Sequence, residues 1–287
     1  MPDLIRLVFT LAEDTEDMLS AALAVHSPTG WEEESLPTGE VRAVVHTDNP
    51  DFAAELEQGV RALLPDVAVA RSAVANTNWV LAWRDFFTPV EAGSRFLVLA
   101  PWMEEEKRRT GRTVITIEPK MAFGTGHHET TALCLRALSD LADAGRVRSG
   151  MRFLDLGTGS GILGIGCALL GMTGVGLDID LLAVENALEN CRANGIASEG
   201  ESPAFSVARG SIDAATGEFD LVLANILARP LKEMARDIAA RRKQNGVLVL
   251  SGILGIQADS VAEAYMATGL PAPHRITSGE WAALLWA

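Results

Sequence analysis

A glycine-rich turn between a buried strand and a helix constrains this chain more than any other feature. Residues 153–163 read Phe-Leu-Asp-Leu-Gly-Thr-Gly-Ser-Gly-Ile-Leu, so an apolar strand runs directly into three closely spaced glycines. Glycine permits positive φ and close approach of the backbone to a ligand, and the following helix presents free N–H groups to anions. The turn predicts a ligand site, although Gly159, Gly161 and Gly164 also satisfy the dinucleotide pattern G-x-G-x-x-G.

An acidic residue in the next strand narrows the kind of ligand. Asp178 stands in Gly-Leu-Asp-Ile-Asp, 21 residues after Gly157, where a carboxylate can accept both hydroxyls of a ribose. NAD and S-adenosylmethionine sites share this geometry. Asp155, two residues before the first glycine, distinguishes the two kinds of site, because dinucleotide enzymes usually have an apolar residue there. The resulting form, D-x-G-x-G-x-G, resembles class I S-adenosylmethionine-dependent methyltransferases.

The periodicity around these motifs predicts an α/β fold with a Rossmann-like layer. From residue 95 onward, apolar strands alternate with helices, which is typical of a doubly wound, mostly parallel sheet. The predicted strands are 153–156, 174–177, 204–208, 221–224 and 247–251, and the predicted helices are 162–170, 180–194, 229–242 and 257–268. A terminal hairpin, 274–277 and 281–286, closes the sheet.

The first quarter of the chain predicts a separate small domain. Residues 1–75 follow the order βαββαβ, a ferredoxin-like α+β pattern, with a first helix over Thr15–His26. That helix has Met18, Leu19, Ala22 and Leu23 on one face. We therefore predict a ferredoxin-like domain over 1–75, a linker with several aromatic residues over 76–94, and a class I methyltransferase domain over 95–287.

The charge of the chain is concentrated in that first domain. The net charge is −14, and residues 1–75 carry 14 acidic but only four basic side chains. Such a surface disfavours direct binding to nucleic acid and attracts a basic partner. The three cysteines are sparse and lack metal-ligand spacing, which suits a reducing cytoplasm. We expect a cytoplasmic monomer that does not associate with a membrane.

Two further motifs complete the candidate site. Residues 118–131 contain Phe-Gly-Thr-Gly-His-His-Glu-Thr-Thr before a predicted helix over 132–141, which we expect Thr130 or Thr131 to cap. Adjacent His and Glu side chains do not easily converge on one ion, so we expect no metal site there. Asn225 ends the fourth strand of the α/β layer, on the carboxyl edge where such sheets bind ligands.

Taken in order, these motifs resemble the bacterial PrmA family of methyltransferases, which modify large-subunit ribosomal protein eleven, a basic protein of the stalk base. The matching motifs are A-F-G-T-G-x-H-x-T-T, D-L-G-T-G-S-G-I-L, G-x-D-I-D and A-N-I-L-A-x-P-L. The resemblance implies S-adenosyl-L-methionine as the cofactor. It also implies which residues contact that cofactor or line the methyl-transfer pocket: Phe123, His128, Thr131, Gly157, Gly159, Asp178 and Asn225.

The chemistry of amine methylation favours positioning over a strong base. A lysine ammonium has no lone pair, and a nearby sulfonium lowers the pKa of an amine beside it. Asn225 is the candidate catalytic residue that orients the amine of a lysine or of the N-terminus. The Asn-Ile-Leu-Ala sequence lacks the paired prolines of methyltransferases acting on glutamine or adenine. A class I methyltransferase for another protein or a small molecule, and a non-catalytic module binding an adenosine cofactor, remain as alternatives.

Overall fold

The computed structural model describes the chain in several stretches: residues 4–12, 18–19, 22–23, 31–36, 38–47, 49–74, 88–103, 111–118, 128–198 and 204–287. The chain divides into two compact units, Met1–Phe87 and Thr88–Ala287. The residues described between 88 and 94 include a strand, Val90–Ala92, inside the segment that the sequence predicts as linker. The tryptophans of that predicted linker, Trp79 and Trp83, lie outside the described residues.

The first unit contains a four-stranded antiparallel sheet with a helix against it. Its elements are β1 (Leu4–Ala12), β2 (Glu32–Leu36), β3 (Glu40–Thr47), α1 (Pro50–Leu63) and β4 (Ala68–Val74). The sheet order is β2-β3-β1-β4, and every neighbouring pair is antiparallel. This order is the one that a ferredoxin-like βαββαβ chain produces.

Alternating apolar side chains form the core of the first unit. Leu7 and Phe9 of β1 are buried, as are Val41, Ala43 and Val45 of β3, which places them on one face of the sheet. The residues that cover this face are Leu19, Ala22, Leu23, Ala53, Leu56 and Val60.

Two local features of the first unit can be compared with the sequence prediction. Helix α1 begins after Asn49, whose side chain accepts hydrogen bonds from Asp51 N and Phe52 N. Of the predicted helix Thr15–His26, the structure describes four helical residues. Of the four side chains that the sequence predicts on one face of that helix, Leu19, Ala22 and Leu23 are buried and Met18 is exposed.

The second unit is built on a seven-stranded sheet. A small sheet precedes it, with β5 (Val90–Ala92), β6 (Phe96–Leu99) and β7 (Thr113–Thr116). The large sheet contains β8 (Arg152–Leu156), β9 (Thr173–Asp178), β10 (Phe205–Arg209), β11 (Phe219–Asn225), β12 (Arg242–Leu254), β13 (His274–Ser278) and β14 (Trp281–Trp286). The helices are α2 (Glu129–Asp143), α3 (Ile162–Leu169), α4 (Leu181–Ala193), α5 (Ala228–Glu233), α6 (Ala235–Arg241) and α7 (Ala258–Met266).

The order of the large sheet is β10-β9-β8-β11-β12-β14-β13. The five strands from β10 to β12 are parallel, and β14 is antiparallel to both of its neighbours. Side chains from both faces of these strands are buried in two separate clusters, as expected for a parallel sheet covered by helices on each side. The direction of chain progression reverses between β8 and β11, and ligands bind at such a point.

Most boundaries in the second unit lie within two residues of the prediction, and three elements differ by more. The helix predicted over 229–242 is two helices, α5 and α6, separated at Met234. Strand β12 is longer than predicted and begins at Arg242, whose guanidinium donates to the carbonyls of Gln244 and Gly246 within the same strand. Helix α2 begins at Glu129. No helix among the described residues has the length and apolar character needed to cross a bilayer.

Candidate functional site

The glycine turn leaves the carboxyl end of β8 at the point where the strand order reverses. Gly157 has φ of +70°, and a Cβ at this position would lie 2.2 Å from Cγ2 of Ile226, so conformation and space both require glycine. Gly157 N and Thr158 N both donate to Leu177 O, at 2.8 and 3.0 Å. The turn is therefore fixed to the end of β9 on one side and packed against the residue after β11 on the other.

Asp155 supplies a buried carboxyl group beneath the turn. One of its oxygens, Oδ2, accepts hydrogen bonds from Thr158 Oγ1 (2.7 Å) and Gly164 N (3.0 Å). The other, Oδ1, is buried without a hydrogen-bond partner. Burial is the main cause that raises the pKa of Asp155 to about 6; the two hydrogen bonds lower it and the charge of Asp178 raises it. A buried carboxylate oxygen without a partner is suited to a cationic ligand.

Asp178 fixes the turn to the start of the next helix. Its Oδ2 accepts from Gly159 N (2.9 Å) and its Oδ1 accepts from Asp180 N (3.0 Å). Asp180 caps α4 by accepting from Leu182 N. Each carboxylate oxygen can accept a further hydrogen bond. Asp178 can therefore still receive ribose hydroxyls while it holds Gly159.

Asn225 and Thr131 form a second pair at the same edge of the sheet. Asn225 Nδ2 donates to Thr131 Oγ1 (3.3 Å), across 94 residues of sequence. The amide oxygen of Asn225 is buried without a hydrogen-bond partner. Asn225 does not cap the following helix, because α5 begins after Leu227 and has no side-chain cap. A buried acceptor is thus available beside the glycine turn.

His128 caps α2, which corrects the expectation that Thr130 or Thr131 would do so. His128 Nδ1 accepts from Thr130 N and lies 2.8 Å from Thr130 Oγ1. The ring packs edge-on against Trp281, with the centroids 4.7 Å apart. The sequence does not indicate this contact of Trp281, because its local pattern indicates only a strand of the terminal hairpin.

The structure gathers most of the predicted site residues at one edge of the large sheet. Gly157, Gly159 and Asp178 form one group, and Thr131 and Asn225 form another. Ile226 joins the two groups, since it follows Asn225 and packs against Gly157. His128 lies three residues before Thr131 at the start of α2. Phe123 lies outside the described residues. Apart from residues 119–127 and the other gaps, no three His, Cys, Asp or Glu side chains gather in a way that could hold a metal ion.

The sheet order, the glycine turn and the acidic residue ending the second strand of the sheet define a class I S-adenosylmethionine-dependent methyltransferase fold. Residues 12–287 match the family described as ribosomal protein L11 methyltransferase (PrmA), and the chain belongs to that family.

Relatives of the same description support this assignment. The chain is 39% identical to the ribosomal protein L11 methyltransferase of Geobacter sulfurreducens, over 88% of the chain and 83% of the relative. It is 42% identical to that of Geobacter metallireducens, over 73% of the chain and 66% of the relative. A solved structure of ribosomal protein L11 methylase from Lactobacillus delbrueckii subsp. bulgaricus has a TM-score of 0.60. Its identity is 24%, over 69% of this chain and 97% of the other, which shows the shared fold.

Proposed function

We propose that this chain transfers methyl groups from S-adenosylmethionine to lysine ε-amines and to the N-terminal α-amine of ribosomal protein L11. The observation that carries the proposal is a pair of buried side-chain oxygens without partners, Asp155 Oδ1 and Asn225 Oδ1. Asp155 pairs in register with Leu223, two residues before Asn225, so both oxygens belong to adjacent strands at one edge. Asp155 Oδ1 is suited to a cation of the cofactor, and Asn225 Oδ1 is suited to the N–H of an acceptor amine.

The residues around the turn match the polar groups of this cofactor. The carboxylate of Asp155 would hold the α-ammonium of the methionine moiety. Main-chain N–H groups at the start of α3 would hold its carboxylate, and Asp178 would accept the ribose hydroxyls. Thr131, Gly157, Gly159 and Asn225 would complete the cofactor contacts, with Phe123 and His128 lining the methyl-transfer pocket. When bound, S-adenosylmethionine supplies a methyl carbon activated by a sulfonium cation.

Asn225 is proposed to orient the acceptor amine. An amine attacks only in its neutral form, so its lone pair must be exposed and aligned. The amide oxygen of Asn225 can accept one amine N–H and thereby leave the lone pair free to point at the methyl carbon. Because an amide does not titrate, Asn225 orients the amine without taking its proton. The side chain is itself held by its hydrogen bond to Thr131.

The first unit is proposed to recognise the substrate, with residues 1–75 as the recognition domain, 76–94 as the linker and 95–287 as the methyltransferase domain. The 14 acidic and four basic side chains of residues 1–75 favour a basic ribosomal protein through long-range attraction. We propose that the enzyme acts as a cytoplasmic monomer without direct nucleic-acid contact. All three cysteines are buried and free, which is consistent with a reducing compartment.

A labelled transfer experiment tests this function. L11 would be purified from a strain that lacks the enzyme, and then incubated with the full chain and S-adenosylmethionine labelled on the methyl group. Label should enter L11 and not a basic control protein of similar size. Label in a different protein of the extract, with none in L11, would favour another class I methyltransferase activity. Cofactor binding with no transfer to any protein or small molecule would favour a non-catalytic module.

A further inference from the structure

Helix α4 carries three asparagines at four-residue intervals: Asn186, Asn190 and Asn194, the last at its C-cap. Residues spaced by four lie on the same face of a helix. The first two side chains are buried, with 3% and 1% of their surface exposed. A buried amide without hydrogen bonds is costly. The partners of this row therefore indicate what α4 holds in place.

Asn194 binds the edge of β7 that faces away from β6. The other edge is paired with β6, and just beyond β7 Ile117 N donates to Leu99 O (2.9 Å). On the facing edge, Thr116 N donates to Asn194 Oδ1 (2.8 Å), and Asn194 Nδ2 donates to Thr116 O (2.7 Å). The amide thus supplies the two hydrogen bonds that a neighbouring strand would supply. The remaining hydrogen bond of Asn194 goes to Asn190 O, within the end of the helix.

Asn190 continues the same edge and also reaches the glycine turn. Glu118 N, two residues after Thr116, donates to Asn190 Oδ1 (3.1 Å). Asn190 Nδ2 donates to Ser160 O (2.9 Å), in the middle of the glycine turn. One buried amide therefore connects the end of β7 to the turn. Glu118 is also the residue that precedes the segment 119–127, which contains Phe123.

The contact with Ser160 controls more than one atom of the turn. The peptide group is planar, so holding Ser160 O also orients Gly161 N, which donates to Thr158 O (2.8 Å). Helix α4 packs closely at this point, since a Cβ on Gly161 would lie 3.0 Å from Ala187 Cβ. The helix therefore sets the direction of the N–H groups that lead into α3.

We propose that Asn190 is a positioning residue for the cofactor site, holding the glycine turn in its binding conformation by connecting it to β7. This inference rests on the proposed role of the turn in binding S-adenosylmethionine. The position requires a donor toward Ser160 O and an acceptor toward Glu118 N on one short side chain, and asparagine provides both. Aspartate keeps the acceptor for Glu118 N but places a negative oxygen against the Ser160 carbonyl, so it breaks the contact with the turn, together with the longer hydrogen bond from Asn190 Nδ2 to Asn186 Oδ1 (3.4 Å) within α4.

Matched variants of the full chain separate positioning from general stability. S-adenosylhomocysteine binding would be measured by calorimetry, and melting temperature on the same samples, for wild type, Asn190→Leu, Asn190→Asp and Asn194→Leu. Leucine keeps the branched shape of asparagine and is somewhat larger, so each leucine variant loses its hydrogen bonds without leaving a cavity. We expect both Asn190 variants to bind S-adenosylhomocysteine about tenfold more weakly, the scale of a lost buried hydrogen bond. Asn194→Leu should melt earlier but bind within about twofold of wild type, since its contacts are with β7.

The outcomes that contradict the inference are specific. If the Asn190 variants melt early but bind as tightly as wild type, Asn190 has only a structural role. The inference also fails if Asn194→Leu weakens binding as much as Asn190→Leu. If one Asn190 variant does not fold, the other decides the question. Wild-type protein that does not bind S-adenosylhomocysteine would instead overturn the proposed cofactor, and the role of Asn190 with it.

Discussion

The two units of this chain differ in what they bury. Among the residues whose burial the structure describes, which leaves out 32–35 as well as the gaps, every buried polar or charged side chain lies in the second unit. Several of these residues lie around the glycine turn, among them Asp155, Thr158, Ser160 and Asn190. The described core of the first unit is entirely apolar. Because burying polar groups is costly without a compensating role, the difference supports the proposal that the cofactor site lies in the second unit.

The units also differ in surface charge. Residues 1–75 have a net charge of −10, whereas the rest of the chain, almost three times as long, has −4. A surface of one sign accelerates and orients encounter with a partner of the opposite sign. This difference supports the proposal that the first unit recognises the substrate and the second carries out catalysis. Variants of each unit test whether recognition and catalysis are separated in this way.

Deleting the first unit should have the largest effect. A protein containing residues 88–287 should bind S-adenosylhomocysteine within about twofold of the full chain. Its methylation of L11 should fall about a hundredfold or more, since several interface side chains are lost together. Full-length Asp178→Ala is the matched control with the opposite pattern, because it should bind L11 normally but bind cofactor weakly. If the truncated protein still methylates L11, the first unit is not needed for substrate recognition, which would contradict the proposal.

Asn225→Ala tests catalysis within the second unit. An orienting group lost from the transition state should lower kcat and kcat/KM together, by roughly tenfold to a thousandfold. The pH–rate profile should keep its shape, because no titrating group is removed. The melting temperature should change little, since Asn225 does not cap α5 and its one side-chain hydrogen bond is long, at 3.3 Å. A folded variant with normal kcat would remove Asn225 from the catalytic assignment.

The sequence predicts the second unit well because its local patterns and its topology agree. Alternating strands and helices with a glycine turn determine a parallel sheet, and parallel strands place Asp155, Asp178 and Asn225 at one edge. The contact between Asn225 and Thr131 follows from that topology.

Contacts between distant segments were not predictable in the same way. Trp281 reaches His128 only because β14 lies next to β12, and nothing in its local pattern indicates this. The asparagines of α4 have the spacing of an ordinary polar helix face, so their burial could not be inferred from α4 alone. Likewise, Met18 fits the spacing of the buried face, yet it is exposed.

Asp178→Ala should have a moderate effect, limited to the cofactor. Removing the carboxylate eliminates the acceptor for ribose hydroxyls and the contact with Gly159 N. We expect binding of S-adenosylmethionine to weaken by about 1–3 kcal/mol, the scale of lost charge-assisted hydrogen bonds. Calorimetric titration measures the change, with NAD as the second ligand. Preferential binding of NAD by the wild-type protein would contradict the assignment of this edge to S-adenosylmethionine.

The pH dependence of cofactor binding should show the smallest effect. The pKa of Asp155 is raised to about 6, mainly by burial, and only its charged form attracts the ammonium of the cofactor. Below about pH 6 the free protein is increasingly protonated there, so affinity should fall toward acid by at most about tenfold per pH unit. Above that range affinity should level off. Asp155→Asn should bind more weakly at neutral pH and show no such change; an unchanged acid dependence in that variant would assign the titration to another group.

Mapping the modified atoms on L11 tests the proposed methylation of amines. Unmethylated L11 would be incubated with the full chain and S-adenosylmethionine, and the products analysed by intact-mass and peptide mass spectrometry. We expect mass increments of whole methyl groups on lysine ε-amines and on the N-terminal α-amine. Without cofactor, L11 should show no mass increment. Methylation confined to other side chains, or no increment under conditions where the cofactor binds, would contradict it.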